Sequence, residues 1–334
     1  METQLETSSS LPEQKTAAFP LISLLIALFA IGLAPIFMRF SIAEIGAIAT
    51  IFNRFWIAGL FFGIWSGVER FRQDVSDEQS IKQQPIYTLK TVSLLLLVGI
   101  LFSLIQLFWA LSLTQTSVAS SVTILHGLRP LLTTLGGWIL FKNRYDSKFL
   151  IGMTIAILGS ILIGFNDFSE SISKFQGDLL SVLSAIFSTL ELLLMEHLLS
   201  QFKTRTLMLW CCITGSAIVL LVLFLLSIFT TTNVHFLPIS WQGWGMIIAL
   251  AFLSQVIGHG LITYSLNYLS SGVVAVTMLL DPVISAIFAW IILSEKISLL
   301  NGLFCCIVLF GIYVSLSSKY AVKADVAESE PLLG

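Results

Sequence analysis

The chain has 334 residues, a formal net charge of -2, 56% hydrophobic residues and only 11% charged ones. Soluble domains average about 45–50% apolar and about 25% charged, so these charges are too few to cover a water-facing surface of this size. A soluble enzyme, a nucleic-acid binder and a disordered chain are excluded, which leaves a polytopic membrane protein.

Residues 1–18 read as a polar N-terminal tail. Glu2, Glu6 and Glu13 precede its one lysine, Lys15, whereas a cleaved export signal begins with net positive charge. Ten apolar runs follow, at 19–40, 44–67, 91–112, 117–141, 149–165, 176–199, 207–229, 242–268, 272–293 and 300–318. A membrane helix needs about 20 such residues. Barrel strands alternate over only about 10, so helices are the remaining way to satisfy the backbone in lipid. Residues 319–334 form a short acidic tail. Its end, Glu328 to Leu333, has the acidic dileucine pattern of a sorting signal that would act only in a eukaryotic cell.

With the N-terminus in the cytoplasm, inner segments hold twelve of the seventeen Lys and Arg. Outer loops hold Arg39, Lys174 and Lys296, and Arg54 and Arg129 fall inside spans. This bias places both termini in the cytoplasm, and the expected location is the cell (inner) membrane. The cysteines, Cys211-Cys212 and Cys305-Cys306, match no zinc, redox or disulfide spacing and read as packing residues. His126, His197, His235 and His259 form no HExxH motif, and there is no G-x-S-x-G elbow. No metal, cofactor or enzymatic activity is expected. An intramembrane enzyme and a channel-like facilitator stay as the alternatives, although no re-entrant filter signature is present.

The halves resemble each other. Pro130 is followed by Trp138 and Asn143-Arg144; Pro282 is followed, at the same spacing, by Trp290 and Glu295-Lys296. The offset is 152 residues. Gly152 opens the fifth run and Gly302 the tenth. Trp109 and Tyr264 each lead into a short polar turn. Five spans per half is an odd number, so the second half must be inverted. The expected fold is an all-α membrane protein of ten transmembrane helices in two inverted five-helix repeats, 19–165 and 174–318. Inverted repeats around a midplane site mark secondary transporters; a purely structural duplication is the alternative.

Four charges lie deep in the runs: Arg54, Arg129, Glu191 and Asp281. At about 1.5 Å per residue, counting from Glu44, Ser117 and Gly272 at the ends of their spans puts Arg54, Arg129 and Asp281 about 14–18 Å in, the middle of a layer about 30 Å thick. A charge there costs roughly 2.5–3.5 kcal/mol on insertion scales and should face the bundle interior. As a binding site, Arg54 or Arg129 would hold an anionic group, while Asp281 or Glu191 would hold an amine or carry a coupling proton. As structure, they would be two ion pairs that fix packing. Pro130 and Pro282 free the carbonyls of His126 and Met278, and Pro35 frees that of Ile31. These kinks would flank a central cavity. Asn53, Gln106, Trp109, His126, Gln255, His259 and Tyr264 are further candidates to line it. Small-residue stripes at Gly59, Gly63 and Gly67, and at Gly152, Ala156, Ser160 and Gly164, suit close helix packing, with a homodimer seam as the alternative.

Several stretches resemble the drug/metabolite transporter superfamily, in its ten-span EamA type. They are Ile51-Phe52-Asn53-Arg54-Phe55, Ala110-Leu111-Ser112-Leu113, Pro130 to Arg144, Tyr264 to Ala275, and Asp281-Pro282 through Lys296. One departure is the turn Lys142-Asn143-Arg144, where the family usually has Gly-Glu-Arg. The resemblance implies a secondary transporter that moves a small organic metabolite (an amino acid, nucleoside or drug-like compound) by alternating access, as an exporter; import of an organic anion is the alternative. Its expected partners are that solute, a coupling proton and the lipid bilayer, and no nucleic acid.

Overall fold

The structure is a computed structural model and describes residues 13–75, 87–116, 118–141, 145–165, 172–229, 236–293 and 299–318. Residues 1–12 and 319–334 of the tails, the turn Lys142-Asn143-Arg144, His235 and the polar pair Glu295-Lys296 lie outside the described residues, and residues 13–18 are helical instead of tail. Within them the chain is helical and holds no strand.

The elements are α1 (Glu13–Gly32), α2 (Ala34–Ile45), α3 (Ala47–Val75), α4 (Leu89–Ser112), α5 (Val118–Phe141), α6 (Ser147–Phe165), α7 (Ile172–Leu198) and α8 (Thr204–Phe229). Next, α9 (Trp241–Ala249) runs through a π-helical stretch (Leu250–His259) into α10 (Gly260–Ser265). Finally α11 (Ser271–Thr277) passes through a 3-10 turn (Met278–Leu280) into α12 (Asp281–Leu293), and α13 (Leu299–Leu316) closes the chain. Among the described residues, six segments are long and apolar enough to cross a membrane: Phe19–Ile45, Ala47–Glu69, Leu89–Ser112, Phe175–Leu198, Thr204–Phe229 and Trp241–Ser265.

The first run differs from expectation. It breaks at Leu33 and then continues as helix to Ile45, so residues 41–43 are not a loop. Pro35 lies in the first turn of α2, where its missing N–H costs nothing and its fixed φ suits a new helix. The reversal into α3 takes one non-helical residue, Gly46, at φ +81°, a conformation that a side chain would strain. Thr88, Ser240 and Ser270 start α4, α9 and α11; each side-chain oxygen accepts a backbone N–H of the first turn. Glu44 lies at the end of α2, where reach to the headgroups is expected. It instead accepts from the Ile239 and Ser240 amides, both at 2.7 Å, and so puts an anion at the N-terminus of α9.

Packing pairs the two halves. α4 lies against α7 and α8, α3 against α8, α1 against the π-helical stretch and α10, and α5 against α7 and α11. Ser184 Oγ on α7 donates to the Ile105 carbonyl of α4 at 2.9 Å. The closest approach is α6 on α13. A Cβ on Gly152 would lie 2.3 Å from the Ser315 amide, one on Gly311 2.4 Å from the Ala156 amide, and one on Gly159 2.8 Å from Val308. Residue numbers rise along α6 as they fall along α13, so the two run antiparallel. The stripe through Gly152 and Ala156 is thus an intramolecular seam. The stripe in α3 is looser: Gly59 faces Cys212 at 3.4 Å, and nothing lies near Gly67. Cys211 and Cys212 are buried packing residues, while Cys306 is exposed.

Candidate functional site

The breaks in regular helix converge. The gap between α1 and α2, the π-helical stretch and the 3-10 turn before α12 all border one cavity, together with α3, α4, α5 and α7. Irregular backbone at membrane depth is tolerated where protein or water satisfies it, and wide π turns often occur at functional sites. The cavity measures about 40 Å³, room for a few waters.

Arg54, Gln106, Trp109, His126, Arg129, Glu191, His259, Asp281 and Pro35 all line it. Its apolar wall includes Phe102, whose ring meets the His259 imidazole edge-on at 5.1 Å. Asn53 is elsewhere. Its amide donates to the Phe236 carbonyl at 2.7 Å and to the Ala49 carbonyl at 2.8 Å, and its oxygen accepts from Trp56 Nε1 at 2.9 Å. It therefore ties α3 to the segment ahead of α9. Tyr264 is also elsewhere: its ring packs on Phe19 and Tyr268.

His126 Nε2 lies 3.0 Å from Asp281 Oδ2. Asp281 is the first residue of α12, and its backbone N–H donates to the Met278 carbonyl in the 3-10 turn before it. Arg129 Nη1 donates to Met278 Sδ at 3.0 Å, and its Nη2 lies 3.5 Å from Glu191 Oε2. That ion pair is long, beyond the usual charge-assisted distance of about 2.7–2.9 Å. Arg54 donates through Nη1 to Gln106 Oε1 at 2.7 Å and through Nη2 to Ser254 Oγ at 2.9 Å. Arg54 Nε, Trp109 Nε1, His126 Nδ1, Arg129 Nε, Ser188 Oγ and Asp281 Oδ1 are buried and have no hydrogen-bond partner among the described residues. Buried polar groups are normally satisfied; these six border the cavity, while others without partners, among them Ser41, Thr123, Gln255 and Ser315, lie elsewhere.

Pro130 sits within an unbroken α5, whereas Pro282 follows a change of helix type. Ser188 and Ser254, which sequence reasoning missed, also line the cavity, as does Met278. Small hydroxyls in apolar runs look like packing serines. Met278 had a signal, since it lies four residues before Pro282.

The sequence pattern of the EamA-like transporter family matches residues 18–165 and again 175–317. The chain belongs to this family. Among curated relatives, an uncharacterized transporter of Archaeoglobus fulgidus is 24% identical over 85% of this chain and 93% of its own length. Uncharacterized transporter YxxF of Bacillus subtilis is 24% identical over 64% of this chain. An uncharacterized transporter of Methanothermobacter thermautotrophicus is 23% identical over 66%. The matches span 66% of the Bacillus relative and 63% of the Methanothermobacter one. A crystal structure of another protein superposes with a TM-score of 0.65 over 90% of this chain and 97% of that one, at 16% identity, which shows a shared fold alone. Family membership and the apolar helices make this EamA-like chain an integral membrane protein of a transporter family.

Proposed function

We propose that this chain is a ten-span secondary transporter that moves a small organic metabolite outward by alternating access. Its two five-helix repeats, 19–165 and 174–318, are inverted, and both termini face the cytoplasm of the cell (inner) membrane. The observation that carries the reading is the cavity. Buried charges from both halves surround it, at the level where the helices lose regularity. A purely structural set of ion pairs would leave fewer polar atoms without partners there.

Inversion is supported by α6 and α13, the last helices of the two halves, which cross antiparallel. Rocking of one half against the other would open the cavity to each side in turn. Asp281 with His126, or Glu191 with Arg129, would carry a coupling proton.

The test is counterflow in vesicles containing the purified protein. A carrier shows saturable exchange, stimulated by solute on the far side. Linear, unsaturable flux would mark a channel and overturn the proposal.

A further inference from the structure

The charged side chains of the cavity are not equally provided for. Asp281 has His126 at 3.0 Å, and Arg129 has Glu191 at 3.5 Å. Arg54 is among the largest fully buried side chains, at 1% exposure. Its hydrogen-bond partners are both neutral, Gln106 and Ser254, and no carboxylate lies within bonding reach among the described residues. A buried cation without a counter-charge is costly. Yet this one sits beside free space rather than in a packed core.

Two donors without partners line the same cavity. Arg54 Nε is a donor without a partner, and so is Trp109 Nε1, which can only donate. Trp109 follows Gln106 by three residues on α4, so the two share a helix face. Ser254 Oγ accepts from Arg54 and retains its own proton for a further acceptor. Arg54, Trp109 and Ser254 thus bring donors to one cavity, which Asp281 Oδ1, an acceptor without a partner, also borders.

We propose that Arg54, with Trp109 Nε1 and Ser254 Oγ, is the receptor for a carboxylate on the transported solute. This rests on the carrier reading above. A single negative charge offsets Arg54, whose hydrogen-bond partners are both neutral, whereas a dianionic phosphate brings a second charge into the buried site. The planar guanidinium edge suits the two oxygens of a carboxylate better than a spherical halide. The space present, about 40 Å³, favours a small molecule and requires the halves to part for entry.

The experiment is thermal unfolding of the purified full chain with acetate, lactate and pyruvate as probes. Their amides, chloride and phosphate are run beside them. The carboxylates raise the melting temperature saturably and the amides do not. Arg54→Gln weakens that binding roughly 10- to 100-fold, the range for a charge-assisted contact, and Arg54→Lys less. Should Arg54→Gln fail to fold, Trp109→Phe removes only the indole donor and still weakens carboxylate binding. Equal shifts with amides, with chloride or with phosphate overturn the proposal, as does an undiminished carboxylate shift in both variants. Saturable counterflow of a neutral or cationic solute that survives Arg54→Gln also overturns it and leaves the carrier reading standing. Carboxylate binding through Arg54 with no saturable transport supports this receptor and removes the carrier reading instead.

Discussion

Arg129 and Asp281 stand one residue before Pro130 and Pro282, and each reaches the residue four before the other's proline. Asp281 pairs with His126 and Arg129 with Met278, both at 3.0 Å. A shift of 152 residues carries one contact onto the other. The crossing of α5 with the stretch from α11 to α12 is therefore antiparallel and nearly symmetric, while its chemistry is not. One arm is an ionic hydrogen bond and the other an arginine on a thioether. Duplication explains the geometry, and divergence at two positions supplies an anion on one side and a cation on the other.

Arg129→Ala and Asp281→Ala are expected to abolish saturable transport while the protein inserts normally. Both side chains border the cavity. Counterflow, alongside membrane yield and gel-filtration profile, checks this. Wild-type transport by both variants would remove them from the site.

His126→Ala leaves the Asp281 carboxylate buried without its partner. An unsatisfied buried group costs about 1–3 kcal/mol, and each kcal/mol lowers the melting temperature of a chain this large by roughly 2–4 °C. Met278→Leu conserves volume, a change worth under about 1.5 kcal/mol, and takes from Arg129 only a weak thioether acceptor. Thermal unfolding should therefore rank His126→Ala well below Met278→Leu. Adding Asp281→Asn to His126→Ala should recover part of the loss, because the buried charge is then gone.

Gly152→Val and Gly311→Val push side chains into the backbone of the facing helix, where no rotamer change gives relief. Overpacking of this kind typically costs about 1–3 kcal/mol and sometimes more. Both variants should yield little folded protein. Gly67→Ala meets open space and should fold like the parent. Yield and melting temperature in detergent decide the matter.

Pro35→Ala restores an N–H at the start of α2 and removes the steric reason for the break at Leu33. A continuous helix through residues 31–37 would shift Ile31 and Ala34, which line the cavity beside Pro35. The expected result is a fall in transport rate with a melting temperature at or above that of the parent. An unchanged rate would show that the break only serves packing.

The helices were legible in the sequence, because lipid admits few alternatives to long apolar helices. The repeat was legible too, since Pro130 and Pro282 mark equivalent positions that spacing alone reveals. So were most cavity residues. Charges such as Arg54 and Asp281 are too costly to face hydrocarbon, and their depth can be counted along a helix. Tertiary structure decided the partners. No spacing says that Asn53 turns away to hold Phe236 while its neighbour Arg54 faces the cavity, or that Glu44 caps α9 instead of reaching lipid headgroups. Nor does any spacing assign His126 to Asp281, or leave Arg54 with neutral neighbours. Those outcomes depend on which helices touch and at what register, and in lipid that is set by side-chain fit and hydrogen bonding between distant segments.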